Sequence, residues 1–248
     1  MGEGSRRVRE HQVSRGTIES RGLSYAVAEF VPRADPPAGG WPVVLFLHGM
    51  GESGSAHESL RVGLPAVVAR NPPDWPCVMV VPQKPVHFDW WGVHLHAALA
   101  ALDRAMRTHP CNARKVALTG LSQGGNACWE LVRGEPGRWS CVAPVCGFVD
   151  PPKVEDDGSL RGRWSWPDPG ARARETAAAL GETACWIFHG SADPVIPVEQ
   201  SRAMAEAIGA SGGSVRLSVY EGVGHDAWIR AYDEPEIARW LLGHEREA

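Results

Sequence analysis

The chain is poor in the features that would commit it to a membrane, a metal or a nucleic acid. Across its 248 residues no apolar run is long enough to span a bilayer. The opening Met1-Gly-Glu-Gly-Ser-Arg-Arg lacks the apolar stretch of a secretory signal. Neither sign of charge dominates: 25 Lys and Arg against 29 Asp and Glu leave −4, which supplies no reason to expect nucleic acid or an anionic surface as partner. The basic cluster Arg6, Arg7 and Arg9 reads as a solvated tail. The six cysteines (77, 111, 128, 141, 146 and 185) contain no C-x-x-C pair, so spacing implies no metal site. Cys77, Cys141, Cys146 and Cys185 fall in apolar strand-like runs, where a free thiol packs as a small core group. Reduced thiols and a cytoplasmic location are therefore expected, although a disulfide between Cys141 and Cys185 stays open. No repeat, composition shift or long Gly/Ser linker divides the chain, which favours one domain over residues 1–248. No motif sets the oligomeric state, and a homodimer is as compatible as a monomer.

What is present is an alternation of strand-like and helix-like segments. Residues 1–20 form a tail or a first strand, and Ser24–Val31 alternates like a half-buried strand. Val43–Leu47 and Cys77–Val81 are solid apolar runs, the pattern of strands covered on both faces. Glu58–Arg70, Val93–Met106, Gln123–Arg133, Val198–Ile208 and Glu234–Leu242 carry helical spacing, with further strands at Lys115–Thr119, Cys141–Val145, Cys185–Phe188 and Val215–Tyr220. This order predicts a mostly parallel sheet of about eight strands flanked by helices. Asp150–Pro169 is the one long loop, too short for a large cap domain and long enough for a small flap.

Within this frame Gly120-Leu121-Ser122-Gln123-Gly124 joins a strand to a helix. A sharp turn at that junction lifts a serine hydroxyl clear of the backbone, at the cost of strained φ/ψ that small neighbours must tolerate. A serine is inert as a nucleophile without an imidazole base, and the imidazole needs a carboxylate to fix its tautomer. Later strands lead into both: His189-Gly190-Ser191-Ala192-Asp193-Pro194, and Glu221-Gly222-Val223-Gly224-His225. The order Ser122, Asp193, His225 is that of the α/β-hydrolases. Two backbone N–H groups must also converge on the developing oxyanion. Gln123 supplies one, and Met50, in the Gly-rich turn His48-Gly49-Met50-Gly51-Glu52-Ser53-Gly54, the other.

Taken together, Leu47–Gly54, Gly120–Gly125 and His189–Pro197 resemble the phospholipase/carboxylesterase branch of the α/β-hydrolases. Gly224-His225-Asp226-Ala227-Trp228 resembles the related predicted-peptidase and feruloyl-esterase-like members. The resemblance runs from about residue 40 to 230. It implies a Ser-His-Asp hydrolase of carboxylic esters that needs no metal or organic cofactor and acts on a small-molecule substrate, most often of short acyl chain. A serine peptidase acting on small peptides is the alternative, although no propeller or peptide-anchoring cluster accompanies the motifs.

Each assignment has rivals. Asp226 adjoins His225 in sequence and is poorly aimed, and Asp150 follows the preceding strand. For the base, His48 and His189 end buried strands and read as groups satisfying backbone, while His87, His94, His96 and His109 also compete. His94 and His96 diverge on a helix, so no metal site is assigned. Of the 11 Trp, Trp129, Trp186 and Trp240 read as packing. Trp90, Trp91, Trp164, Trp166 and Trp228 lie on loops near the serine and are expected to wall an apolar or aromatic acyl pocket.

Overall fold

The computed structural model describes residues 8–54, 58–87, 89–155 and 163–247. Its centre is an eight-stranded sheet in the order β1-β2-β4-β3-β5-β6-β9-β10. The strands are β1 (His11–Ser20), β2 (Leu23–Pro32), β3 (Trp41–Leu47), β4 (Val78–Pro82), β5 (Cys111–Leu121), β6 (Cys141–Val145), β9 (Ala184–Gly190) and β10 (Val215–Tyr220). β1 and β2 form an antiparallel edge, β2 joins β4 antiparallel, and every other pairing is parallel. The sequence-derived strands are all present, and the stretch before residue 20 supplies a strand of its own.

The parallel strands are apolar on both sides because both sides are covered. Val43, Leu45 and Leu47 of β3 face α2 (Leu95–Thr108), α3 (Gln123–Gly134), α4 (Gly170–Leu180) and α5 (Glu199–Ala210), whereas Val44 and Phe46 face α1 (Leu64–Arg70), α6 (Trp228–Ala231) and α7 (Ile237–Gly243). The period of two along the strand divides its side chains between two buried layers. No helix among the described residues is long and apolar enough to cross a membrane.

Two expectations are corrected, one open alternative is decided and one element is added. Glu58–Arg70 is not one helix: a 3-10 turn over Glu58–Arg61 is separated from α1 by Gly63 at φ 65°, with Pro65 in the first helical turn. A side chain is strained at that dihedral, and proline fits a helix start, not its interior. Cys141 and Cys185 are not bridged, and all six thiols are free. Cys141 pairs with Ala184 and Val142 with Cys185, so the two sulfurs lie on opposite faces of the sheet. Asp150–Pro169 is not wholly irregular, since β7 (Lys153–Glu155) and β8 (Arg163–Ser165) pair as an antiparallel ribbon. Residues 156–162 of that proposed flap lie outside the described residues. Finally, α4 was not anticipated: its Ala-rich sequence buries Ala173, Ala177 and Leu180 in one stripe.

Candidate active site

Ser122 occupies the turn between β5 and α3 with φ 54° and ψ −117°. Its N–H donates to the Val145 carbonyl (2.9 Å) and its carbonyl accepts from Asn126 (3.1 Å), so neighbouring backbone holds the strained residue in place. The flanking glycines are steric requirements. A Cβ on Gly124 would lie inside the Leu47 carbonyl, and one on Gly120 would come 2.7 Å from the same oxygen.

The turn sets Ser122 Oγ 3.0 Å from His225 Nε2, and His225 Nδ1 lies 2.7 Å from Asp193 Oδ2. With Nδ1–H donating to the carboxylate, Nε2 is left to accept the serine proton. The three residues follow the C-terminal ends of β5, β9 and β10, where a parallel sheet opens its crevice. Asp193 Oδ1 accepts the backbone N–H groups of Val195 (2.8 Å) and Ile196 (3.0 Å). Burial alone would raise this carboxyl, but hydrogen bonds from His189, His225 and Ile196 outweigh it and hold the group well below the usual carboxylate range. Asp193 is thus an anion over any ordinary pH. Of its rivals, Asp226 is exposed and Asp150 accepts from Arg172 (3.0 Å).

His189 has a larger part than backbone satisfaction. Its Nε2–H faces the Ile196 carbonyl at 3.0 Å and Asp193 Oδ2 at 3.2 Å, while Nδ1 accepts from Ser201 (2.7 Å). His48 does serve backbone: Nδ1–H donates to the Gly49 carbonyl (2.6 Å) and Nε2 accepts the Lys84 N–H (2.9 Å). Burial pushes its pKa down to about 3, so the ring is neutral. His94 and His96 bond separately, to Tyr25 and Asp89 and to Ser20.

The loop carrying Met50 is pinned from beneath. Gln83 donates to the Glu52 carbonyl, Ser59 donates to Gln83 (2.8 Å), and the Gly54 N–H donates to the Lys84 carbonyl (2.9 Å). Lys84 is fully buried, its ammonium donating to the carbonyls of Val86 (2.7 Å), His87 (3.2 Å) and Asp89 (2.6 Å). Burial lowers its pKa to about 8, against the opposing pull of Asp89 and Glu52. One cation thereby shapes the segment that delivers Trp90.

Ser122 and His225 open into a cavity of about 310 Å³ to which Met50 and Gln123 also contribute. Its walls are mostly apolar and include Trp90, Trp164, Trp228, Phe148 and Ile196. Trp228 meets the His225 ring edge-to-face at 5.6 Å, and Trp90 packs on Phe148 (5.5 Å) and Trp164 (6.2 Å). Two expected wall residues are elsewhere. Trp91 is buried and donates its indole N–H to the His48 carbonyl (2.8 Å), bracing the loop from below. Trp166 sits behind the wall, against Phe148 and Trp164. Adjacent residues point apart, so of Trp90 and Trp91 only Trp90 reaches the cavity. Phe148, Ile196 and Glu52 are wall residues that sequence reasoning missed. Their signal was position alone: each follows the end of a strand in the parallel part of the sheet.

Cys146, Asp193 and His225 are the one group among the described residues whose potential metal-ligand atoms lie within 4.8 Å of one another. Its histidine and carboxylate already bond each other, and burial holds the Cys146 thiol well above its ordinary pKa. A protonated, buried thiol is neither a nucleophile nor a ligand.

A parallel sheet with an antiparallel edge, helices on both faces and a strained serine between strand and helix is the architecture of an α/β-hydrolase. Residues 84–243 match the prolyl oligopeptidase family (peptidase S9), and the chain belongs to that family. It is 24% identical over 223 residues to a rice (Oryza sativa subsp. japonica) protein named as a "probable inactive carboxylesterase", covering 80% of this chain and 82% of that one. To the esterase YpfH of Escherichia coli (strain K12) it is 32% identical over 113 residues, 46% of this chain and 39% of that protein. The crystal structure of a thermostable esterase superposes with a TM-score of 0.74 at 23% identity, covering 96% of this chain. The chain spans 64% of that structure's length.

Proposed function

We propose that this protein is a serine hydrolase that cleaves small carboxylic esters, of short or aryl acyl group, through an acyl-enzyme. The observation that carries the reading is the hydrogen-bonded line from Asp193 through His225 to Ser122, opening onto a mostly apolar cavity of about 310 Å³. His225 Nε2 takes the serine proton as Oγ attacks the ester carbonyl. The N–H groups of Met50 and Gln123 donate to the oxyanion, interactions that strengthen as charge develops. His225 then protonates the departing alcohol, and a water that it activates releases the acid. Tryptophans form much of the cavity wall, and a cavity of this size suits a compact acyl group. The similarity to named esterases supports ester chemistry. The six free thiols support a reducing, cytoplasmic setting. Burst release of p-nitrophenol from p-nitrophenyl acetate, with covalent labelling of Ser122 by a fluorophosphonate, tests the reading; a protein that is neither labelled nor active overturns it.

Membership of the prolyl oligopeptidase family favours a second reading, hydrolysis of small peptides by the same machinery. An amide needs a stronger push, since the leaving amine must be protonated as it departs. Turnover of a p-nitrophenyl ester against the matching p-nitroanilide separates the two readings.

A further inference from the structure

Four aromatic rings close a circuit at the cavity wall. Trp90 packs on Phe148 (5.5 Å), Phe148 on Trp166 (5.2 Å), Trp166 on Trp164 (6.1 Å) and Trp164 back on Trp90 (6.2 Å). Trp90, Phe148 and Trp164 line the cavity together with Ser122. The rings come from separate stretches of chain, and loop backbone that leaves the main sheet must find its hydrogen bonds elsewhere. One side chain supplies them to two of these stretches. Gln200, in the first turn of α5, is only 3% exposed. Its Oε1 accepts the Val149 N–H (3.1 Å), and its Nε2 donates to the Pro167 carbonyl (3.3 Å).

These two contacts sit where they can set the wall. The Phe148–Val149 peptide is held at both of its polar groups: its N–H donates to Gln200, and its carbonyl accepts Asn126 Nδ2 (3.0 Å) from α3. Pro167 directly follows Trp166, and Trp164 lies in β8, opposite Val154 of β7. One amide therefore ties the backbone behind Phe148 to the backbone behind Trp166. The pairing calls for an acceptor and a donor on the same planar group, which an amide offers and a carboxylate or an aliphatic chain does not. We propose that Gln200 is a positioning residue for acyl selection: by holding these rings as one fixed surface, it lets the cavity favour a flat aromatic acyl group over acetyl. An acetyl ester needs little beyond the nucleophile and the oxyanion N–H groups. An aromatic acyl group must lean on the wall, and a preorganised surface receives it without the cost of ordering the rings first.

The role of Gln200 rests on the esterase reading, and one experiment separates their failures. Ethyl acetate and ethyl benzoate share a compact alcohol, so the ratio of their kcat/KM values, benzoate over acetate, reports the acyl side. Gln200→Leu removes both hydrogen bonds, and its ratio should fall at least about fivefold below wild type, through KM for the benzoate more than through kcat. General damage to the fold would slow both esters together and leave the ratio in place. Gln200→Glu adds a readout that packing does not imitate. At pH 5 burial favours the protonated carboxyl, which accepts from Val149 while donating to Pro167; at pH 8.5 the carboxylate has no proton to donate. The acidic groups beside the two anchors are engaged, Asp150 by Arg172 (3.0 Å) and Asp168 by the Gly170 N–H (3.0 Å), and wild type measured at both pH values corrects for them. Relative to wild type, the Q200E ratio should stand within about twofold at pH 5 and drop at least about threefold further by pH 8.5. A Q200L ratio within about twofold of wild type overturns the proposal, as does a Q200E ratio that keeps step with wild type between the two pH values. Should Q200L fail to fold, Q200E decides alone. Wild type that is active on acetate and inactive on benzoate removes the inference only, whereas inactivity on both esters removes the esterase reading with it.

Discussion

His189 Nε2 lies 3.2 Å from Asp193 Oδ2, the same oxygen that His225 Nδ1 approaches at 2.7 Å. Two imidazoles therefore converge on one carboxylate oxygen, one buried four residues upstream and one reaching Ser122. The buried ring holds the carboxylate in the orientation that the active-site ring needs. Replacing His189 with Leu leaves Asp193 and Ser201 short of partners, each a loss of about 1–3 kcal/mol. The expected result is a kcat reduced about tenfold or more with a smaller change in KM, together with a lower melting temperature; an unchanged kcat would show Asp193 to be held by the Val195 and Ile196 amides alone.

Ser122→Ala should lower kcat for a p-nitrophenyl ester by roughly four to six orders of magnitude and abolish fluorophosphonate labelling. Gly124→Ala tests the turn instead. Because its Cβ would overlap the Leu47 carbonyl, the variant should be unstable or inactive, as judged by thermal denaturation beside activity.

Asp193 gives the stability a definite acid dependence. Its folded pKa lies below the ordinary 3.8, so the unfolded chain takes up the proton first as the pH falls. The stabilisation is complete above about pH 4–5 and is lost progressively as pH descends towards the folded value, with a limiting slope of about 1.4 kcal/mol per pH unit. Urea unfolding at pH 6 and pH 3 should show the gap between wild type and Asp193→Asn narrowing at the lower pH.

Lys84 runs the other way along the scale. Its folded pKa of about 8 lies below the unfolded value near 10.5, so the folded state releases the proton first and the penalty of a buried charge is relieved between those limits. Lys84→Met strands three carbonyls and should lower the melting temperature by several degrees near neutrality. The stability difference between wild type and variant should widen from pH 8 to pH 10.5. KM should rise as well, since the Lys84 ammonium shapes the loop that ends in Trp90.

The aromatic wall predicts a split among tryptophans. Trp164→Ala should raise KM for an aryl acyl ester by about tenfold, for loss of a large buried contact. Trp166→Ala should do so less, being one layer back, and Trp91→Phe should act on stability through its lost bond to the His48 carbonyl. Michaelis constants and melting curves for the three variants check the order.

Much of this was legible in the sequence because strand-end motifs are local. The G-x-S-x-G turn, His189-Gly190-Ser191-Ala192-Asp193 and Gly224-His225 each lie just past an apolar run, and a parallel sheet brings the ends of such runs to one edge. Solid runs such as Val43–Leu47 likewise announced burial on both faces. Less was visible where meaning depends on direction. Trp90 and Trp91 are indistinguishable as letters, yet one lines the cavity and the other is buried beneath the loop. Helix α4 was missed because its Ala- and Arg-rich sequence carries only a narrow apolar stripe, and Glu58–Arg70 was overread because Gly63 breaks a spacing that otherwise looks continuous.

By itself the sequence determined most of the succession of strands and helices along the chain, the identity of the serine, imidazole and carboxylate candidates, and the small residues their turn requires. These follow from periodicity and from steric rules that act within a few residues. Only the tertiary structure decided that His189 supports Asp193, that Lys84 ties down the Trp90 segment, and that Trp90 and not Trp91 lines the cavity. Those relationships lie within single strand-end loops, and they are set by how each loop folds back and where its side chains point, which residue identity and spacing do not encode.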